Sequence, residues 1–169
     1  MNHGVRILQL IDSLETGGAE RMAINYANTL AEIIPFSALV TTRKEGALKD
    51  QVSSKVHYLF LDKQGKLGIK AIFRLRSFIL KNKIDVIHAH STSFFTAILV
   101  KLTYPKVKIV WHDHNGNRVN TTGITNRTLK ISSMLFWGVL TVNKELKTWA
   151  KQNLLTKNTQ YFPNFIPTI

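Results

Sequence analysis

Residues 5–33 constrain the fold more than any other stretch of this chain. Val5 to Ile11 is apolar except for Arg6 and Gln9, and it leads into a short polar segment holding Gly17 and Gly18. Met22 to Ile33 then carries apolar residues at helical spacing. A buried strand, a tight glycine turn and a helix start are the reading. Such a unit opens many phosphate-handling α/β domains, because the free N–H groups of a helix N-terminus attract anions. Glycine also lets a ligand approach the backbone closely.

The pattern repeats downstream. Strand-like runs fall at 36–41, 56–61, 85–89, 107–111, 138–142 and 160–162, and several are continuously apolar or β-branched. That is how parallel strands covered on both faces read. Helical patterns separate most of them, at 20–33, 67–82, 93–102, 125–136 and 144–153. Ser91, Thr92 and Ser93 offer an N-cap before Phe94. The alternation predicts a doubly wound, mostly parallel α/β sheet in one domain, residues 1–169.

The 169 residues carry a net charge of +13 and no cysteine. The absence of cysteine excludes a disulfide framework and thiolate chemistry. The positive charge predicts an anionic partner: a membrane surface, a phosphorylated substrate or nucleic acid. No apolar run reaches the roughly 20 residues of a membrane span. Met1 to Gly4 leave no room for a cleavable leader, so a cytoplasmic location is expected. The dinucleotide, P-loop and nucleophile-elbow fingerprints are all missing. Lys and Arg are not interleaved with aromatic residues, which argues against a nucleic-acid platform.

Four of the six histidines form two pairs, His88 with His90 and His112 with His114. Residues two apart on a strand share a face, so the pairs on neighbouring strands are also a candidate zinc site. The reading preferred here assigns no metal. It takes His88 as a hydrogen-bonded core residue and His90 and His112 as residues at strand ends, where α/β sheets bind ligands. Asp113, His114 and Arg118 follow in the adjoining turn; Arg118 is either an anion ligand or a solvated side chain. Along 67–82, Lys66, Lys70, Arg74 and Lys81 share one arc of roughly 80°, opposite Ile69, Ile72, Phe73, Leu75, Ile79 and Leu80.

Thr16 to Arg21, Asp85 to His90, Val110 to His114 and Phe162 to Ile166 occur in the order of the motifs of glycosyltransferase family 4, and the chain resembles the N-terminal domain of that family along its whole length. Phe165 stands where the family usually has glycine, and Pro167 where it has aspartate. The resemblance implies a Rossmann-like half of a two-domain GT-B architecture, with the C-terminal nucleotide-sugar domain beyond the chain's apolar end. It implies a retaining, metal-independent transfer of sugar, without cofactor, from a nucleotide sugar to a glycan or lipid-linked acceptor, as in surface polysaccharide assembly. His112 would be the catalytic residue at the reacting sugar. Gly17, Gly18, Ala19, Glu20, Arg21, His90, Asp113, His114 and Arg118 would bind substrate. A GT-B nucleotide-sugar 2-epimerase half, and a basic module that binds nucleic acid or an anionic membrane without catalysis, are the alternatives.

Overall fold

A computed structural model describes residues 4–65, 67–116, 118 and 124–166. Seven strands form one all-parallel sheet: β1 (Arg6–Ser13), β2 (Phe36–Lys44), β3 (His57–Phe60), β4 (Val86–His90), β5 (Lys108–Asp113), β6 (Gly138–Thr141) and β7 (Thr159–Tyr161). Their order is β3-β2-β1-β4-β5-β6-β7. The order reverses between β1 and β4, and the crevice outside their carboxyl ends is where such sheets take ligands.

Five helices connect the strands: α1 (Gly18–Ile33), α2 (Ile69–Lys81), α3 (Phe94–Thr103), α4 (Ile124–Ser132) and α5 (Lys144–Asn153). They divide unequally between the faces, as right-handed crossovers running in two directions require. Ala23, Ile24 and Ala27 of α1 pack with Ile11 and Leu39 in a small core. Residues from α2, α3, α4 and α5 pack with Leu8, Leu10, Ile87, Ile109 and Trp111 in a much larger one. Strand β1 shows why. Leu8 and Leu10 point to the large core, Ile11 joins the small one, and Gln9 lies buried at 0% exposure.

The expected elements are all present, with displaced ends. The helix expected over 125–136 gives way at Ser133 to a 3-10 turn, Ser133–Leu135, after which Phe136 is extended and buried. Ser93 does not cap α3 through its side chain. Its hydroxyl sits 2.7 Å from the carbonyl oxygens of both Leu10 and His90, tying the start of α3 to two central strands. On α2 the expected apolar side is only partly inward. Ile72, Leu75 and Ile79 are buried, whereas Ile69 and Phe73 are more than half exposed and Leu80 is also exposed. Of the basic arc, Lys66 lies outside the described residues, and the Arg74 guanidinium donates to the carbonyl oxygens of Leu61 and Phe60. No described helix is long and apolar enough to cross a membrane.

Candidate functional site

The glycine turn delivers α1 to the carboxyl edge of the sheet. Gly17 is the N-cap in extended backbone and makes no side-chain cap hydrogen bond, and the Glu20 carboxylate folds back over it. A Cβ at Gly18 would meet no atom within 4 Å, so its backbone is open to a ligand. A pocket of about 300 Å³ lies there, lined by Gly18, Ala19, Glu20, Ser91, His114, Asn115 and Asn164. Among the expected site residues, the pocket therefore collects Gly18, Ala19, Glu20 and His114. Gly17 and Arg21 stand beside it; the Gly17 carbonyl accepts from the Arg21 amide at 3.1 Å. A larger cleft of about 850 Å³ opens at the opposite, amino end of the strands, beside Arg6, Lys81, Lys83 and Lys108, away from the glycine turn. The chemistry-bearing residues favour the smaller one.

Register places the histidines together. His90 of β4 pairs with His112 of β5, and His88 lies two residues before His90 on the same face. Both His90 and His112 have 0% exposure and His88 has 5%. The expectation that His112 lines the cleft is thus not what the fold provides. Tyr26 of α1 packs against the rings of His88, His90 and His112 at centroid distances of 4.8, 6.0 and 5.8 Å and covers them. His88 is buried as expected, but its Nε2 has no hydrogen-bond partner. His90 lies 2.9 Å from Gln9 Oε1 through Nε2 and 3.0 Å from His114 Nε2 through Nδ1. His114, partly exposed, is the histidine that reaches the pocket. Burial holds all four rings below the ordinary histidine range, His88 to about 3 and His114 to about 4, so they are neutral near pH 7.

Asp113 and Arg118, both expected to bind substrate, pair with each other. The Arg118 guanidinium donates to both carboxylate oxygens of Asp113, and the pair is almost wholly buried. The Arg118 guanidinium carbon also stands 5.2 and 5.7 Å from the ring centroids of Trp111 and Trp149. Arg118 is therefore not solvated, and the pair pins the turn that carries His114. Burial pushes the Asp113 carboxyl up while Arg118 pulls it back; two hydrogen bonds from a guanidinium keep it ionised at neutral pH.

Contributors that the sequence reading did not place at the site include Gln9, Tyr26 and Asn115, and the segment after β7, singled out there only as a motif, also packs against it. Gln9 left a signal, as the single uncharged polar residue in a buried apolar run. Tyr26 left none, because an aromatic residue on a helix face reads as ordinary core. Phe162 and Phe165 pack on Tyr26 at 5.9 and 5.1 Å, and Asn25 Nδ2 donates to the Phe165 carbonyl oxygen at 2.9 Å.

Comparisons with known proteins agree with this arrangement. The fold is similar to that of HepE from Anabaena, solved with UDP and glucose: TM-score 0.73, 16% identity, 96% of this chain and 45% of that one. It is similar to a UDP-N-acetylglucosamine 2-epimerase from Rickettsia bellii at TM-score 0.66, 15% identity, 94% of this chain and 44% of that one. It is also similar to the lipopolysaccharide outer core galactosyltransferase WaaB at TM-score 0.63, 14% identity, 98% of this chain and 48% of that one. The chain spans less than half the length of each of these structures. No curated protein sequence matches it. The fold is a Rossmann-like α/β domain, one half of a GT-B architecture. The sequence model of Glycosyltransferase Family 4 matches residues 16–168, from the glycine turn to the chain's end, and the chain belongs to that family.

Proposed function

We propose that this chain is the acceptor-side half of a retaining, metal-independent hexosyltransferase. It would move sugar from a nucleotide donor to a glycan or lipid-linked acceptor in surface polysaccharide synthesis, at the cytoplasmic face of a membrane. The observation that carries the reading is the pocket that sets the open N-terminus of α1 against the ring of His114. Breaking a sugar–phosphate bond builds negative charge on the leaving pyrophosphate. Fixed N–H dipoles at Gly18 and Ala19 stabilise that charge without reorganising. The neutral His114 ring lines the pocket; its Nε2 lies 3.0 Å from His90 Nδ1 and its Nδ1 is buried without a partner, so it meets a hydroxyl of the reacting sugar or the acceptor once the ring turns outward. His112 stands behind it, and its ring reaches a substrate only after Tyr26 shifts.

The nucleotide sugar as partner is supported by HepE, whose structure holds UDP and glucose in the same fold. The missing half of the nucleotide site would come from a second domain. Residues 1–169 alone are therefore expected to fold but to transfer no sugar. In a protein containing both domains, His114→Ala lowers turnover about 100-fold and, by leaving Nδ1 of His90 without its partner, also costs about 1–3 kcal/mol of unfolding free energy. Glycoside formation by residues 1–169 alone would overturn the two-domain reading. The epimerase likeness supports a second reading, a nucleotide-sugar epimerase half. Product analysis separates the two: a new glycosidic bond for the first, an inverted donor sugar and no glycoside for the second.

A further inference from the structure

The layer between α1 and the central strands is polar where a core is normally apolar. Gln9, His88, His90 and His112 fill it, and Tyr26 roofs it. Buried polar atoms almost always find partners, because each one left without costs about 1–3 kcal/mol. Here both ring nitrogens of His112, Nε2 of His88, Nε2 of Gln9 and the Tyr26 hydroxyl have none. Four orphaned side chains around one point are a cost that a bound ligand would remove.

We infer that His88, His90 and His112 bind a divalent transition-metal ion, with zinc the best fit, beneath the substrate pocket and apart from the transfer chemistry. One ligand atom from each ring lies within 4.8 Å of the other two. The ring centroids are 4.4, 5.3 and 5.6 Å apart. A tetrahedral zinc with bonds of about 2.0 Å to nitrogen needs ligand nitrogens about 3.3 Å apart and ring centroids about 5.2 Å apart. The separations of His112 from His88 and His90 are close to that spacing and the His88–His90 separation is shorter, so side-chain rotation closes the nitrogens while the paired strands stay in register. An all-nitrogen donor set selects zinc, cobalt, nickel or copper and rejects magnesium and calcium, which take oxygen.

The surroundings complete the site. Gln9 Oε1 accepts from His90 Nε2, the outer contact that fixes a ligating histidine's tautomer and leaves Nδ1 with its lone pair. That Nδ1 now faces His114 Nε2 at 3.0 Å. An ion taking Nδ1 displaces that contact and leaves the His114 ring to the pocket, and a water completes the four-coordinate set.

Cobalt(II) is the probe. The untagged chain, stripped with chelator at pH 7.5, is titrated with Co2+ while its visible absorption and bound metal are measured. One cobalt per chain, with the intense ligand-field band of a four-coordinate ion that stoichiometric zinc abolishes, is the expected result. Gln9→Leu weakens cobalt binding about 10–100-fold, the usual effect of losing an outer partner. His88→Gln and His112→Gln abolish the band, whereas His57→Gln on β3 keeps it. Nitrogen NMR of the wild-type histidine rings with zinc gives a test that needs no variant: His88, His90 and His112 shift together. A folded chain that takes up no cobalt in excess, or zinc that leaves those three rings unmoved, would overturn the inference. Because binding is read without turnover, it stands or fails separately from the transferase reading.

Discussion

Acidification should unfold this protein earlier and more steeply than its size suggests. The perturbation is a drop from pH 7.5 to 5.0 in chelator-treated protein. His88, His90 and His112 are buried and neutral, with burial and neighbouring rings depressing their affinity for protons. In the unfolded chain each returns to about pKa 6.5. The unfolded state then binds more protons than the native one, so stability is full above that value and is lost as pH falls below it. At pH 5.0 each ring lies about 1.5 pH units below its unfolded pKa, a loss of about 2 kcal/mol apiece. Three independent rings give about 6 kcal/mol, against a total of about 5–15 kcal/mol for a typical domain. His114, held to about 4, is also still neutral at pH 5.0 and adds a comparable loss, so three rings set a floor. Asp113 works in the opposite sense, since a carboxyl raised by burial holds its proton more tightly in the folded state; one such group cannot offset three rings. Urea unfolding at several pH values, followed through the buried Trp111, measures the effect. Between pH 6.0 and 5.0 the slope should reach at least about 4 kcal/mol per pH unit, that of three protons. A slope no greater than one proton would refute the claim that the native layer stays neutral.

Other expectations are separable from this one. Asp113→Ala strands the Arg118 guanidinium between two tryptophans and should cost about 3–5 kcal/mol of unfolding free energy; replacing the pair together, Asp113→Leu with Arg118→Met, should recover most of it, and equal losses would show that the ion pair is not the cause. Gly46→Ala puts a Cβ 2.3 Å from the backbone of Leu14 and Glu15, so it should displace the segment leading to the glycine turn and weaken UDP-sugar binding, whereas Gly18→Ala meets no atom and should leave the fold intact; calorimetry with folded variants compares them. Lys70→Glu with Lys81→Glu should lower partitioning onto anionic vesicles by at least about 30-fold, since two cations contribute about 2 kcal/mol near such a surface; unchanged sedimentation would move the docking face away from α2.

The sheet was legible because a parallel strand covered on both faces has to be apolar nearly throughout, and Leu8, Leu10, Ile87 and Ile109 announce it. Helix ends were less so. Ser93 has the residue type of a cap but spends its hydroxyl on Leu10 and His90, a tertiary contact that local spacing does not encode. The site divides the same way. Gly18 and His114 reach the pocket because turn chemistry and strand ends are local properties. Burial of His112 depends on Tyr26, 86 positions earlier, and that of Arg118 on Trp111 and Trp149. Tyr26 and Trp149 lie outside any local window of sequence around those residues.

The link between Asn25 and the Phe165 carbonyl fixes where the backbone leaves the sheet. After β7 at the far edge, the chain returns over α1, and Asn164 helps to line the pocket. Whatever is joined beyond that point starts at the rim of the cleft rather than at the sheet's edge. Phe162 and Phe165 of this returning segment also rest on Tyr26, the ring that roofs the histidines, so a displacement of the segment is felt at the roof.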